Sequence, residues 1–395
     1  MFEFKVVAKK GKARAGILKT PHGNIQTPTF IPVGTGASVK ALSPANLGEI
    51  GVQIVLANTY HLSLRPGEDL VEKMGGLTEF MSWKGPTMTD SGGYQVFSLG
   101  HAQVGTKQGK FNKSVFENVR TYNPGLSTQN QSGIGNIKPA RMDENGVTFY
   151  SHLDGSEHRL DPKISIGIQE KLGADLIVAF DDHESPLWSK DKIAASIKKT
   201  NRWALESLKA QKRENQLMYG VIHGAGYKDL RIGSAKFTNK HFKAIAIGGA
   251  YQTKKVLYQI IDWCVPFMDG DKPRHLLGIG EVEDLINGVE RGMDFFDCVA
   301  PTRRARHGSL YISSKNGGSP KNNFCLSITD KRYTISDEPI DPGCLCYTCQ
   351  NFTRSYLRHL FNTKELLAYT LASYHNIYFI TALMAKLRES ILSGK

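Results

Sequence analysis

The sequence predicts a (β/α)8 barrel, and two observations support that fold class. Eight short apolar segments recur along the chain, and segments with helical spacing separate most of them. Strands that alternate with helices favour parallel pairing, and strands that are apolar almost throughout are typical of a sheet covered by helices. Eight such units favour a closed barrel over an open sheet.

The predicted strands are apolar runs, most of which stop at or beside a glycine or a polar residue. They cover residues 28–33, 53–58, 85–90, 174–181, 217–223, 243–248, 274–280 and 294–299. The predicted helices have apolar residues at helical spacing and carry helix start signals. They cover residues 43–50, 66–74, 164–172, 190–208, 254–263 and 281–291.

Polar side chains mark the carboxyl ends of the predicted strands, which is where a (β/α)8 barrel carries its chemistry. The residues in these positions are Asn58, Asp90, Asp181, Asp182, His223 and Asp297. We therefore expect the functional site among them.

The composition is that of a basic globular protein. The 395 residues include 50 Lys and Arg against 37 Asp and Glu, which gives a formal net charge of +13. Such a charge favours a polyanionic partner. No apolar run approaches the roughly 18 residues that cross a bilayer, and the N-terminal stretch lacks the pattern of a secretory signal. We expect a cytoplasmic protein with no membrane partner.

Three cysteines, Cys344, Cys346 and Cys349, lie close together. Thiolates at this spacing can converge on one Zn²⁺, which prefers four sulfur or nitrogen ligands. His359 and His375 are both candidates for the fourth ligand, and unliganded reduced thiols are the alternative. Because four protein ligands leave no open coordination position, we expect a structural site and not a catalytic one.

Two stretches interrupt the barrel pattern. Residues 100–145 are rich in Gly, Asn, Gln and Ser and predict a mobile insertion. The cysteines lie in a second stretch, after which residues 376–392 have the apolar stripe of a closing helix. We expect a barrel at 1–308, a zinc-binding subdomain at 309–375 inserted between the last strand and the last helix, and a closing helix at 376–395.

The stretch DFFDCVAPTRRARHG joins the last strand to a basic run. Asp297 falls at the strand end, and Arg303, Arg304 and Arg306 follow it within nine residues. Guanidinium groups stay charged and offer forked donors that suit phosphate and nucleic acid. A buried anchoring carboxylate followed by a solvated basic turn is the alternative.

The stretch TDSGGYQVFS places a second carboxylate, Asp90, at a strand end. Ser91 and two glycines follow, so backbone amides can line a pocket, and Tyr94 can stack on a planar ligand. The alternative is an aspartate that caps a helix. Paired carboxylates are typical of enzymes that cleave a bond at a sugar's anomeric carbon.

Five motifs together resemble the bacterial-type tRNA-guanine transglycosylases of the queuine tRNA-ribosyltransferase family. They are TDSGGYQVFS, ANTYHLSLRPG, GVTFYSHLDGS, FDCVAPTRRARHG and the C-x-C-x-x-C cluster. The resemblance covers almost the whole chain apart from residues 100–145. It implies a homodimeric enzyme that exchanges guanine in G-U-N anticodons of tRNA for a 7-deazaguanine, either 7-aminomethyl-7-deazaguanine or queuine, in queuosine modification.

The resemblance also implies roles for individual residues. Asp297 matches the nucleophile and Asp90 the general acid and base, while Arg303 and Arg306 match positions that read the uridines beside the target guanosine. The zinc ligands of the family match Cys344, Cys346, Cys349 and His375, with one structural zinc per chain. Base-pocket positions match Asp90, Ser91, Tyr94, Asp181, His223, Gly249 and Leu277, with Val33, Leu56 and Asn58 as neighbours.

Four residues depart from the family pattern near the base and the RNA. His223 replaces a glutamine that reads the base edge, and Lys254 replaces a glutamate that senses the incoming base. His183 replaces a more frequent cysteine, and Glu281 replaces an RNA-contacting lysine. Both aspartates are present, which argues against a noncatalytic relative. A transglycosylase that acts on DNA or with a different deazaguanine base is the alternative.

Overall fold

The computed structural model describes residues 2–94, 140–249 and 253–394. Most of the insertion predicted at 100–145 therefore lies outside the described residues. In its last part, residues 140–145, only residues 141 and 142 form a strand, which belongs to a small antiparallel sheet. Within the described ranges, no helix combines the length and the apolar character needed to cross a membrane.

The strands, in chain order, are β1 (Glu3–Lys10), β2 (Ala13–Thr20), β3 (Gly23–Thr27), β4 (Thr29–Pro32), β5 (Val55–Ala57), β6 (Thr87–Thr89), β7 (Arg141–Met142), β8 (Val147–Tyr150), β9 (Glu157–Leu160), β10 (Leu176–Val178), β11 (Leu217–Ile222), β12 (Ala244–Ile247), β13 (Arg274–Leu276), β14 (Phe295–Cys298), β15 (Ser309–Tyr311) and β16 (Cys325–Ser327).

The α-helices, in chain order, are α1 (Pro44–Ile50), α2 (Thr59–Leu64), α3 (Glu68–Lys73), α4 (Gly76–Met81), α5 (Pro162–Leu172), α6 (Lys190–Ala210), α7 (Lys228–His241), α8 (Lys254–Cys264), α9 (Val282–Glu290), α10 (Ala300–Arg306), α11 (Tyr347–Asn351), α12 (Arg354–Asn362) and α13 (Leu366–Ser393).

Eight strands form one sheet in the order β4-β14-β13-β12-β11-β10-β6-β5. This order is the chain order read in a circle. The two end strands also meet, because Val33 and Leu56 form a parallel bridge and the Gly34 N–H donates to the Leu56 carbonyl at 2.7 Å. The sheet thus closes into the (β/α)8 barrel that the sequence predicts, and each predicted strand contains one of these eight.

The chain divides into two compact units. The first contains residues 1–57, 77–88 and 269–395, and the second contains residues 58–76 and 89–268. In the first unit β13, β14 and β4 pair in parallel. In the second unit β10, β11 and β12 pair in parallel.

The first unit opens with an antiparallel sheet, β1-β2-β3, which the sequence analysis did not predict. Arg14 on β2 donates from Nε to Asp294 Oδ1 at 2.9 Å, and both side chains are buried. Burial raises the pKa of Asp294, although the guanidinium of Arg14 opposes the shift. The pair connects the N-terminal sheet to the residue before β14, so Asp294 has a structural role.

The closing helix α13 begins at Leu366 and not at position 376. Its first turns bury Ala368, Leu371 and Ala372. His375 therefore lies inside a continuous helix, and the helix links the cysteine-containing region to the barrel.

In the second unit the helices between the barrel strands have clear start signals. Asp161 caps α5 by accepting the Ile164 N–H at 2.8 Å, and Ser189 caps α6 through the Lys192 N–H at 3.4 Å. Helix α5 ends at Gly173, whose φ of 73° is the left-handed conformation that glycine adopts readily. These residues define both ends of α5 and the start of α6.

Candidate active site

Asp90 follows β6 directly and is held at the start of α2. Asn58 Nδ2 donates to Asp90 Oδ2 at 2.5 Å, and the backbone N–H of Thr59 donates to Oδ1 at 2.9 Å. The Asn58 side chain is itself oriented because its Oδ1 accepts the His61 N–H and caps the helix. The expected neighbour Asn58 thus contacts the proposed acid and base directly.

Ser91, Asp181 and His223 form a chain of hydrogen bonds. Ser91 Oγ donates to Asp181 Oδ1 at 2.9 Å, and His223 Nε2 lies 2.8 Å from Asp181 Oδ2. Ser165 Oγ fixes the Ser91 backbone by donating to its carbonyl at 2.7 Å. All three members of the chain are buried, so the structure brings together three residues that the sequence assigned to one pocket.

The ionisation of this pair follows from its surroundings. Burial raises the pKa of Asp181, but the hydrogen bond and charge of His223 outweigh it and hold that pKa below its usual value. Burial lowers the pKa of His223, and Asp181 more than offsets it, so the pKa of His223 lies above its usual value. Both shifts favour a carboxylate beside an imidazolium.

Tyr94 and His183 make an edge-to-face ring contact with centroids 4.6 Å apart. His183 is also 6.0 Å from the ring of His223. Burial lowers the pKa of His183 to about 4. At neutral pH the ring is therefore neutral, and it forms an aromatic wall next to Tyr94.

A buried carboxylate and guanidinium brace the turn that follows β11. Glu184 Oε1 accepts the Gly224 N–H at 2.8 Å and lies 3.7 Å from Arg231 Nη2. Arg231 in turn donates to the carbonyls of Ile222 at 2.9 Å and Gly248 at 2.7 Å. Burial lowers the pKa of Arg231, while Glu184 opposes that shift.

Gly249 lies next to the pair formed by Glu184 and Arg231. Its φ is +78°, and a Cβ built there would lie 2.8 Å from Glu184 Oε1 and 3.0 Å from His223 Nδ1. Only glycine fits such a position without displacing buried polar atoms. Lys254, the first residue of α8, has an exposed side chain.

Asp297 lies on β14 in the first unit and is buried. Its Oδ1 atom lies 2.9 Å from His275 Nε2 and accepts the Gly278 N–H at 3.0 Å. Gly278 adopts a φ of 73°, which turns its N–H towards the carboxylate. Leu277, a predicted pocket residue, is half-buried between these two partners in the chain.

The short helix α10 follows β14 and carries three arginines. Arg304 Nη2 donates to both oxygens of Glu281, at 2.6 and 2.7 Å. Burial lowers the pKa of Arg304, but Glu281 more than offsets it and holds that pKa above its usual value. Arg306 Nε donates to the Thr302 carbonyl at 3.2 Å. Glu281 thus neutralises Arg304, whereas Arg303 and Arg306 are the cations that the sequence assigned to RNA.

The three cysteines and His375 converge, and their ligand atoms all lie within 4.8 Å of one another. His375 Nδ1 is 3.9, 3.4 and 3.3 Å from the sulfurs of Cys344, Cys346 and Cys349. Ligands of a tetrahedral zinc site, with Zn–S and Zn–N bonds of about 2.3 and 2.0 Å, lie about 3.6 Å apart. The cluster therefore fits such an ion.

A second hydrogen bond orients the histidine of this cluster. His375 Nε2 donates to the Tyr311 carbonyl at 2.7 Å, so Nδ1 is the nitrogen that faces the sulfurs. Cys346 also caps α11. His359, the other candidate ligand, lies exposed on α12 and is not part of the cluster.

Three residues of these sites were missed by the sequence analysis. They are Glu184, Arg231 and His275, and each acts by holding a predicted residue or its backbone. His275 lies between Arg274 and Leu276 on β13. Because successive side chains of a strand point to opposite faces, His275 lies on the face opposite to its two neighbours. The Glu184–Arg231 pairing spans 47 positions and has no local pattern.

Carboxylates with fixed polar partners at the ends of barrel strands are typical of enzymes that act on glycosidic bonds. The basic helix directly after Asp297 is typical of contact with nucleic acid. Fold and site together define a barrel glycosyltransferase that acts on a nucleic acid or a nucleoside.

Comparisons with known proteins agree with that class. The model of the family described as "Queuine tRNA-ribosyltransferase" matches residues 9–136 and 127–395. A protein of that name from Herpetosiphon aurantiacus is 43% identical over 100% of this chain and 90% of its own length. Those from Halothermothrix orenii and Caldanaerobacter subterraneus subsp. tengcongensis are 43% and 42% identical, over 96% and 98% of this chain and 90% and 93% of their own lengths. The chain belongs to the queuine tRNA-ribosyltransferase family and is an enzyme of the tRNA-guanine transglycosylase type.

Proposed function

We propose that this enzyme exchanges guanine at the wobble position of tRNAs with a G-U-N anticodon for a 7-deazaguanine base. The base is 7-aminomethyl-7-deazaguanine or queuine, and the reaction runs through a covalent ribosyl intermediate on Asp297. The observation that carries the proposal is the asymmetry of the Asp297 carboxylate. Both of its hydrogen bonds end on Oδ1, and within the described residues Oδ2 accepts none.

This asymmetry suits a nucleophile. His275 and Gly278 orient the carboxylate through one oxygen, so the other oxygen keeps its lone pairs for the sugar. In the first step Oδ2 forms a bond to C1′ while the bond from C1′ to N9 of guanine breaks, and the electron pair of that bond goes to N9. Asp90 gives a proton to the departing base.

The second step reverses the first with a different base. Asp90 takes the proton from N9 of the incoming 7-deazaguanine, N9 attacks C1′, and the bond to Asp297 breaks with its electron pair returning to the carboxylate. Two displacements retain the configuration at C1′. The two hydrogen bonds that Asp90 accepts from Asn58 and Thr59 support its role, because they fix the carboxylate in one orientation.

The same proposal assigns the base pocket to residues of the second unit. Ser91, Asp181, His223 and Gly249 are connected by contacts in the second unit, and Tyr94 supplies an aromatic face beside His183. Leu277 precedes the glycine that holds Asp297. A purine must leave its stack to reach such buried groups, as it does in other enzymes that act on a base.

Arg303 and Arg306 are proposed to contact the anticodon beside the target guanosine. Glu281 engages Arg304 with two hydrogen bonds, which distinguishes Arg304 from its two neighbours. The cluster of three cysteines and His375 is proposed to hold one structural zinc ion, which would tie α11 to α13. The enzyme is further proposed to be cytoplasmic and homodimeric, as the family resemblance implies.

One exchange experiment tests this function against its DNA-acting alternative. Purified enzyme is incubated with radiolabelled guanine and either a G-U-N tRNA or duplex DNA, and the label in acid-insoluble nucleic acid is counted. We expect label in the tRNA only, and competition by 7-aminomethyl-7-deazaguanine or queuine. Label in DNA alone, or in neither, would contradict the proposal.

A further inference from the structure

The helix α2 connects the proposed acid and base to the small antiparallel sheet β7-β8-β9. The residues at the start of α2 hold the Asp90 carboxylate, and Tyr60 follows them directly. A Cβ at Gly92 would lie 3.4 Å from the Tyr60 backbone nitrogen and 3.4 Å from Leu160 Cδ1 of β9. The start of α2, the loop that carries Asp90 and this sheet therefore lie next to one another within the second unit.

Tyr60 is buried and anchors the ring of His152. Its hydroxyl lies 3.1 Å from His152 Nδ1, and the two rings stack with centroids 5.8 Å apart. The phenol has no other hydrogen-bond partner among the described residues. Burial raises the pKa of Tyr60, so the hydroxyl keeps its proton. Donation of that proton to Nδ1 satisfies the buried hydroxyl, and a neutral imidazole then carries its own proton on Nε2.

The Nε2 atom of His152 is a hydrogen-bond donor at the protein surface. The ring is half-buried, and burial together with the charge of Arg65 lowers its pKa, so the ring is neutral at neutral pH. Nε2 has no hydrogen-bond partner in the described part of the chain. Unlike Nδ1 of His223, this atom is not enclosed by the fold. A ligand can therefore reach it from solvent.

The loop that carries His152 is ordered by its own hydrogen bonds. The Ser151 N–H donates to the Ser156 carbonyl at 2.8 Å, and the Gly155 N–H donates to the Ser151 carbonyl at 2.9 Å. Asp154 accepts Ser156 Oγ at 2.7 Å, and hydrogen bonds from Ser156 and Ser151 lower the pKa of Asp154 to about 2. The carboxylate of this loop is thus bonded within the loop and leaves His152 Nε2 to a ligand.

Arg65 supplies a permanent positive charge near this donor. It follows α2 directly, its side chain is exposed, and its charge lowers the pKa of His152. Among the described residues no carboxylate forms an ion pair with Arg65, whereas Arg141 and Arg159 of the adjacent sheet are both paired. A guanidinium without a counterion and a neighbouring N–H donor suit a phosphate, which takes both the charge and the hydrogen bonds.

We propose that Arg65 and His152 form a phosphate-binding site for the RNA backbone beside the target nucleotide, in which Arg65 supplies the charge and His152 Nε2 donates a hydrogen bond. This inference rests on the proposed function, which brings C1′ of the target nucleotide to the place where Asp90 protonates the base. Only a few covalent bonds separate C1′ from the phosphates on either side of its sugar. Groups anchored on α2, whose start holds Asp90, are therefore placed to contact one of these phosphates.

A scan of the RNA backbone tests the contact. Each phosphate of the anticodon loop in a synthetic G-U-N stem-loop is replaced in turn by an uncharged methylphosphonate, and binding to the full-length enzyme is measured by fluorescence titration. We expect the change at one phosphate next to the target nucleotide to weaken wild-type binding by about tenfold or more, as for a lost hydrogen bond to a charged group. The same change should have little further effect on Arg65→Ala, because that variant has already lost the contact.

Two variants of His152 separate contact with RNA from anchoring on Tyr60. In His152→Asn the side-chain oxygen can still accept the Tyr60 proton, but no donor replaces Nε2, so we expect RNA binding to weaken by about tenfold. His152→Gln can place an amide N–H near the position of Nε2 and should recover part of the loss. Arg141→Ala, at a paired arginine of the adjacent sheet, is the control and should bind RNA like the wild type. Thermal unfolding of each variant checks the fold.

Three results would each overturn the inference. They are a scan in which no phosphate beside the target matters, equal losses in wild type and Arg65→Ala, and RNA binding by folded His152→Asn that matches the wild type. If the wild type exchanges guanine into unmodified tRNA in any of these cases, the proposed function stands and only the phosphate site is wrong. If the wild type binds the stem-loop but exchanges no guanine, the proposed function is wrong, and the scan still decides the phosphate site.

Discussion

The buried Asp297 carboxylate is oriented through only one of its two oxygens. Both hydrogen bonds end on one oxygen, and they come from a strand neighbour, His275, and from a backbone N–H in the turn at Gly278. Neither donor reaches the second oxygen. The geometry therefore separates the atom that positions the side chain from the atom that we propose reacts.

Replacing Asp297 by Asn should abolish the covalent intermediate and leave the fold intact. An amide has nearly the same shape, so it can keep the contacts of Oδ1, but it is a poor nucleophile. We expect exchange to fall by about three orders of magnitude or more, as for other nucleophile removals. The measurement is trapping of labelled tRNA on enzyme, resolved on a denaturing gel.

The control for this variant is the same change at Asp69, an exposed partner of Lys171. Exposed ion pairs contribute little to stability, so Asp69→Asn should trap RNA like the wild type. An RNA adduct formed by Asp297→Asn would contradict the assigned role.

The residues to which we assign direct roles in the reaction could be predicted from the sequence, whereas the residues that hold them in place could not. Asp90 and Asp297 lie in long motifs at strand ends. Glu184 and Arg231 meet only after β10, β11 and α7 have folded, and neither residue belongs to a repeating pattern. Long-range pairing of two buried charges leaves no periodic signal, so a single sequence does not reveal it.

At the scale of elements, the helix α10 is positioned by its own salt bridge. Arg304 makes two hydrogen bonds to Glu281, which precedes α9, and both side chains are partly buried. Glu281 occupies a position where the family resemblance suggested an RNA-contacting lysine. In this chain its observed partner is an arginine of the helix, so the departure has a structural reason.

Glu281→Lys should therefore destabilise the protein. The substitution removes both hydrogen bonds and places a second cation beside Arg304, for which we expect a decrease in unfolding free energy of about 1–3 kcal/mol. The double variant Glu281→Lys with Arg304→Glu reverses the pair and should recover part of the loss. Denaturant unfolding of the three proteins measures both effects. Equal stability of wild type and Glu281→Lys would show that the pair does not position α10.

The start of helix α13 could not be predicted from the spacing of its apolar residues. Its second part has the apolar stripe of an amphipathic helix and was predicted from residue 376. Its first part is apolar on most sides and buries Ala368, Leu371 and Tyr374, so no stripe marks its start. The strands of the barrel were easier to predict, because most of them are short apolar runs that stop at or beside a polar residue or glycine.

The same helix connects the metal cluster with α10. Asn376, the residue after His375, donates to the Pro301 carbonyl at 3.0 Å and accepts the Tyr311 N–H at 3.0 Å. Helix α13 therefore contacts the start of α10 as well as carrying His375 of the cluster. Loss of the metal should therefore affect more than the cysteine loop.

Cys346→Ser should release the zinc ion that we propose for this cluster and destabilise the region around it. A structural ion contributes its binding free energy to folding, and Cys346 also caps α11. We expect zinc content to fall from about one ion per chain to near zero, with a lower melting temperature. Elemental analysis and thermal unfolding measure these outcomes. Cys325→Ser, at a cysteine outside the cluster, is the control, and an unchanged zinc content in Cys346→Ser would refute the assignment.

At the scale of the whole molecule, the sequence pattern indicates the fold, whereas the net charge indicates the kind of partner. The alternation of strands and helices predicted the closed barrel, which the order of the eight strands confirms. The net charge of +13 says nothing about fold and bears only on partners. The antiparallel sheet β1-β2-β3 was not predicted. Its first strand, β1, alternates exposed and partly buried residues and therefore lacks the continuous apolar run that marks the barrel strands.

Binding of tRNA should accordingly depend strongly on salt, whereas binding of guanine, which is uncharged, should not. Each phosphate contact that releases a counterion adds about 0.7–0.9 to the slope of log affinity against log salt concentration. We expect Arg303→Ala and Arg306→Ala each to lower that slope by about one and to weaken tRNA binding. Arg202→Ala removes the same charge from an arginine already paired with Glu144 and Glu206 and should leave the slope unchanged. Fluorescence titrations of tRNA between about 50 and 200 mM salt measure the slopes. Identical slopes for the α10 variants and for Arg202→Ala would show that α10 does not contact the phosphate backbone.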